Sequence, residues 1–151
     1  MKKKLRKIGD VVKIPLDDEF HGYARVLRSG LFAFYKLKTR KEIPLTEVLK
    51  EPVLFKVCVM EYAISDGRWE VLGNYPLEDP LKEHPLFFKQ DPISKKIYLY
   101  NDLTGEEILA TKEDCVGLER ASVWDPEHVE ERLRDFFDGR LNRWVELQKL
   151  K

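Results

Sequence analysis

The side chains best suited to nucleophilic or metal chemistry in this chain are three histidines, His21, His84 and His128, and two cysteines, Cys58 and Cys115. A thiol acts as a nucleophile when a base or a cationic setting makes it a thiolate. Cys58 stands between Val57 and Val59, where a buried, inert thiol is expected. Cys115 follows Glu113 and Asp114, and neighbouring carboxylates raise a thiol pKa. No HxH, HExxH or CxxC spacing occurs, so no metal site is expected. Phosphate-binding glycine loops and the GxSxG elbow are missing too. Carboxylates cluster at Asp17-Asp18-Glu19, Glu106-Glu107, Glu113-Asp114 and Glu130-Glu131. Their spacing selects no acid–base pair, and solvated surface accounts for them. The expectation is a chain that is not an enzyme and carries no cofactor and no metal.

Binding of single-stranded nucleic acid uses aromatic rings to stack bases and cations to hold phosphates. Phe20, Tyr23, Phe32, Phe34 and Tyr35 lie near Arg25, Arg28, Lys36, Lys38, Arg40 and Lys41. A small β-barrel reading nucleic acid is therefore one reading of this region. The other places Phe20, Phe32 and Phe34 in the core, with the cations on the outer face. Alternation puts Phe32, Phe34 and Lys36 on one face, which fits neither reading well.

The elements that must position these residues are mostly strands. Val11–Ile14, Phe20–Leu27 and Leu31–Leu37 read as strands, the latter two joined through Ser29-Gly30 as an antiparallel pair. Leu45, Val48 and Leu49 stand at helical spacing after Pro44. Val53–Ile64 reads as one long central strand, closed by the turn Ser65-Asp66-Gly67, with Trp69–Leu72 returning as its hairpin partner. Leu77–His84 is equally a helical turn or a loop. Leu86–Lys89 is a strand, and Lys96–Asn101 pairs with Glu106–Leu109 around Thr104-Gly105. Thr111 and Asp114 resemble a capping box for one helical turn ended by Gly117. The main helix, about 125–138, starts at Asp125-Pro126 with Asp125 as its cap. Val129, Leu133, Phe136 and Phe137 form its apolar stripe, Glu130 and Arg134 pair outside, and Gly139 stops it. Trp144–Leu147 reads as a last strand. The class is α+β: a mainly antiparallel curled sheet or partial barrel with that helix packed on it.

The 151 residues form one domain, 1–151, by length. Hydrophobic residues at 43% can bury a core, and charged residues at 36% exceed the usual ~25%. Net charge is zero, yet residues 1–60 hold 14 Lys and Arg against 7 acids, and residues 61–151 hold 13 against 20. Such a distribution suits a charged macromolecular partner. The basic start MKKKLRK is not followed by the apolar run of a signal peptide, and no apolar stretch is long enough to span a bilayer. With two cysteines and no disulfide framework, a cytoplasmic protein with no membrane partner is expected.

The segments GDVVKIPL from Gly9, GYARVL from Gly22, PVLFKVCVMEYAISDGRWEVLGN from Pro52, FFKQDPIS from Phe87, LERASVWDPEHVEERLRDFFDGR from Leu118, and Trp144-Val145 occur in this order. The chain, from about Ile8 to Leu150, thereby resembles the immunity protein 26 family. That resemblance implies a bacterial immunity protein that binds and neutralises a polymorphic toxin domain, with no catalytic residues to carry over. For such a partner, a nuclease being one candidate, acidic side chains would oppose a basic substrate groove. The expected contact residues are Asp66, Arg68 and Trp69 at the first hairpin, with core packing the favoured alternative for Trp69, and Asp102, Glu106 and Glu107 at the second. Nucleic acid remains the alternative partner, and the oligomeric state stays open.

Overall fold

Strands β1 (Asp10–Pro15), β2 (His21–Val26) and β3 (Leu31–Thr39) arise from the β-branched and aromatic runs near the N-terminus and pair antiparallel in chain order. The computed structural model describes residues 5–151, so the Met1–Lys4 start of the basic run lies outside the described residues. The remaining elements are α1 (Leu45–Val48), β4 (Val53–Val59), α2 (Tyr62–Ser65), β5 (Glu70–Asn74), α3 (Asp79–Lys82), β6 (Phe87–Gln90), β7 (Ile97–Tyr100), β8 (Glu107–Ala110), β9 (Val123–Trp124), α4 (Pro126–Phe137) and α5 (Arg143–Gln148). A six-stranded sheet runs β5-β1-β2-β3-β4-β9, and a three-stranded sheet runs β6-β7-β8. All pairings are antiparallel except β4 with β9. The class is α+β with no closed barrel, and the large sheet is curled by register shifts in β1–β5, β2–β3 and β3–β4.

The large sheet is covered on both faces. Val12, Ile14, Ala24, Val26, Phe32, Phe34, Val57 and Val59 pack on one side with Trp69, Val129 and Leu133. Val11, Tyr23, Tyr35 and Val48 form a cluster on the other side, and Leu27, Leu31, Ala33, Leu81 and Phe87 form another. Two-sided burial explains why all six residues of β2 are buried. It also buries Arg25 completely. Its guanidinium donates to the Gly9, Tyr75 and Pro76 carbonyls, to the Tyr35 hydroxyl, and to Glu78 at 2.9 Å.

Several local expectations change in three dimensions. The strand expected over Val53–Ile64 stops at Val59, where the Met60 amide donates to the Trp124 carbonyl and the chain turns into α2. Trp69–Leu72 does not return along it. β5 pairs with β1 instead, held by buried Asp10, which accepts from the Lys7 amide and the Asn74 side chain. Trp144–Leu147 lies within helix α5, whose N-terminus is capped by Asn142 accepting from the Val145 amide at 3.0 Å. Asp125 stands at the N-cap of α4, but its side chain makes no cap bond. It accepts instead from the Tyr62 hydroxyl. Phe136, expected in the apolar stripe, is 45% exposed, and Glu130, expected outside, is buried. Arg134 does not pair with Glu130; it donates to the Leu16 carbonyl.

Candidate partner-binding cleft between the sheets

The register β6–β7–β8 sets Phe87, Tyr100 and Glu107 side by side, and next to them Lys89, Tyr98 and Leu109. Period-two alternation puts these six side chains on one face of the small sheet. That face and the β4–β9 end of the large sheet enclose a cleft of about 300 Å³. Cys58, Phe87, Lys89, Tyr100, Asp102, Ala121, Ser122 and Val123 line it. Lys89 lies 3.7 Å from the Tyr100 ring centroid and donates to Glu107 at 2.9 Å. One Asp102 oxygen bonds the His84 imidazole, and the other is 4.0 Å from the Cys58 sulfur. The Ser122 hydroxyl is buried and has no hydrogen-bond partner among the described residues.

The cleft does not present an activated thiol. Burial, and then Asp102, push the Cys58 pKa up to about 11, against an opposing pull from Arg6. Cys58 is therefore a protonated thiol at neutral pH. Cys115 is buried, and burial followed by Asp114 raises its pKa too. Among the described residues, no three or more His, Cys, Asp or Glu side chains group as a metal site.

The six residues expected to contact a partner fall in two places. Asp66 and Arg68 sit in the turn between α2 and β5, which is no hairpin of β4. Asp66 is exposed. Arg68 makes two 2.7 Å bonds to Glu130. Trp69 is 1% exposed, with its ring edge-on to Phe32 and Phe34 and its indole N–H donating to Glu130. Asp102, Glu106 and Glu107 gather on the β7–β8 hairpin; Asp102 lines the cleft, and Glu106 and Glu107 are exposed. Sequence reading missed Tyr100, Lys89 and Ser122. The Lys96–Asn101 alternation could have flagged Tyr100, whereas nothing local marks Ser122.

The nucleic-acid surface considered from sequence does not assemble. Tyr23, Phe32, Phe34 and Tyr35 are at most 1% exposed, and Arg25 is fully buried. Phe20 is half-buried beneath Lys38 and Arg40. These rings cannot stack bases.

A family model described as immunity protein 26 matches residues 7–99. The chain belongs to the immunity protein 26 family. The matched span runs from before β1 to Leu99 in β7. Cys58, Phe87 and Lys89 of this immunity protein's cleft lie within it. Tyr100, Asp102, Ser122 and β8 follow it, as does the segment from Leu118 that carried part of the resemblance. No curated protein and no solved structure matches the chain. No helix of the described residues is long and apolar enough to cross a membrane.

Proposed function

We propose that this immunity protein acts in the bacterial cytoplasm, as one domain over residues 1–151, by binding and blocking the toxin domain of a polymorphic toxin system. It works by occupancy rather than catalysis. Family membership supports toxin binding. The observation that carries the choice of surface is the acidic β7–β8 hairpin, where exposed Glu106 and Glu107 stand beside Asp102, which lines the cleft. If the toxin is a nuclease, its substrate groove is basic, and these carboxylates mimic phosphates there. Complementary charge raises the association rate, and desolvated anchors slow dissociation. Half-buried Tyr100 supplies such an anchor, whereas Trp69 is buried in the core.

The test is co-expression of the tagged protein with candidate toxin domains from its own source, scored by growth rescue, followed by titration of the rescuing pair. Reversing both hairpin charges, Glu106→Lys with Glu107→Lys, is expected to weaken binding about tenfold or more at low salt and to flatten its salt dependence. Unchanged affinity would remove the hairpin from the interface. Asp66→Lys serves as the exposed control away from the cleft.

A further inference from the structure

A β-strand at the edge of a sheet leaves alternate backbone amides and carbonyls without partners, and proteins usually cover or blunt that edge. Two edges here are treated so. β9 is two residues long. The outer side of β6 is occupied, because the Phe88 amide donates to the Glu119 carbonyl and the Phe88 carbonyl accepts from the Ala121 amide.

The outer side of β8 differs. The Asn101 amide donates to the Glu106 carbonyl at 2.9 Å, which sets the phase of the hairpin. Antiparallel alternation then turns the backbone groups of Glu106, Ile108 and Ala110 toward β7, and those of Glu107 and Leu109 outward. The same count on β6 turns Phe88 outward, where its bonds are in fact made. No bond to the outward amides and carbonyls of Glu107 and Leu109 occurs among the described residues. No proline, lysine or register shift interrupts β8. Its side chains Ile108 and Leu109 are 53% and 67% exposed.

Charge and continuity limit what can pair there. Residues Asn101 to Asp114 contain five carboxylates and one lysine. Leu109 shares its sheet face with Lys89 and Tyr100, which line the cleft, so an added strand extends the surface assigned above. We propose that the outer edge of β8 takes up an extended, basic segment of the toxin domain as a fourth strand, bonded to the main chain of Glu107 and Leu109. This deepens the toxin-binding reading and rests on it. Main-chain bonds supply affinity in such additions, and alternate side chains supply selectivity.

The test uses the isotope-labelled full chain and a defined probe, the capped hexapeptide Lys-Val-Lys-Val-Lys-Val. At millimolar probe the Glu107 and Leu109 amide signals shift, and their exchange with solvent slows about tenfold, while Ile108 and Ala110 stay constant. A probe N-methylated on every residue gives no response. Leu109→Pro removes one outward donor without touching the β7 ladder, so it abolishes the response while thermal stability is retained. Probe shifts confined to another face, or none, overturn the proposal. A dimer in sedimentation that Leu109→Pro dissolves also overturns it, since a second copy would then own the edge. The two readings fail separately. A toxin domain still neutralised by Leu109→Pro sinks the strand addition and leaves toxin binding standing. A probe response without any neutralised toxin sinks toxin binding and leaves the edge.

Discussion

Glu130 shows how much a single side chain can do once it faces the core. It sits on α4, 4% exposed, and accepts two bonds from Arg68 and one from the Trp69 indole. These bonds fasten α4 to the turn after α2. Glu130→Ala leaves the indole N–H and part of the guanidinium unsatisfied, at a cost of about 2 kcal/mol, less than for a fully buried pair because Arg68 reaches water. A urea unfolding midpoint shift checks this, and an unchanged midpoint would show that water replaces the carboxylate without loss. His21 carries a pH response. Burial, and then Lys13, lower its pKa below the ordinary 6.5, against Glu42. Its Nε2 meets the Tyr23 and Thr39 hydroxyls. The unfolded chain therefore takes up this proton first as pH falls. The stability tied to the neutral ring is complete above 6.5, declines below it, and levels off beneath the folded value. Comparing melting at about pH 7.5 and about pH 5.5, His21→Gln should show a smaller drop than the unmodified chain. An equal drop would assign the response to other groups.

At the scale of elements, short local patterns were read correctly where turn chemistry set them. The β7–β8 hairpin, the Thr111–Asp114 reciprocal bonds and the Gly139 stop at φ +71° all follow local rules. The misread elements are those decided by distant partners. Val53–Ile64 alternates well enough for one strand, but the Trp124 carbonyl captures Met60 and Ala63 and Ile64 are buried as a helical turn. Residues 144–147 are rich in strand-forming side chains, yet Asn142 caps them as a helix and Trp144 stacks on His128 with ring centroids 3.8 Å apart. β5 joins β1 because Asn74 bonds the Ile8 carbonyl and Asp10, and the Tyr75 amide bonds Gly9. This crossing needs Gly9 at φ +94°, where a Cβ would lie 2.3 Å from the Tyr75 carbonyl oxygen. Gly9→Ala should cost about 2 kcal/mol or more, through backbone strain and through displacement of β5. Calorimetry reads the loss, and an unaffected melting temperature would show that the β1–β5 crossing can shift.

At the scale of the molecule, a sheet covered on both faces consumes the aromatic strands, so recognition is left to what lies outside it. The N-terminal positive excess is partly spent inside the fold: Arg25 is buried, and Arg6 donates to the Val59 carbonyl. The C-terminal acids are partly tied as well, Glu119 with Arg132 and Glu131 with Arg143. Charge counts along the chain therefore overstate the surface dipole. Glu106 and Glu107 stay exposed on the β7–β8 hairpin; the charge reversal proposed above is placed there, and its effect should fade with salt.

The residue pattern by itself determined the α+β class, the first strands, the second hairpin and the main helix, because periodicity, caps and turn residues act within a few positions. It also carried the family, through an ordered set of segments. Tertiary structure alone decided that Arg68 is tied to Glu130, that Arg25 and the aromatic strands are inside, and that Cys58, Asp102 and Ser122 meet at one cleft. Those outcomes depend on which faces are covered and which edges remain open. Burial and pairing are set by elements far apart in the chain, and no local pattern encodes them.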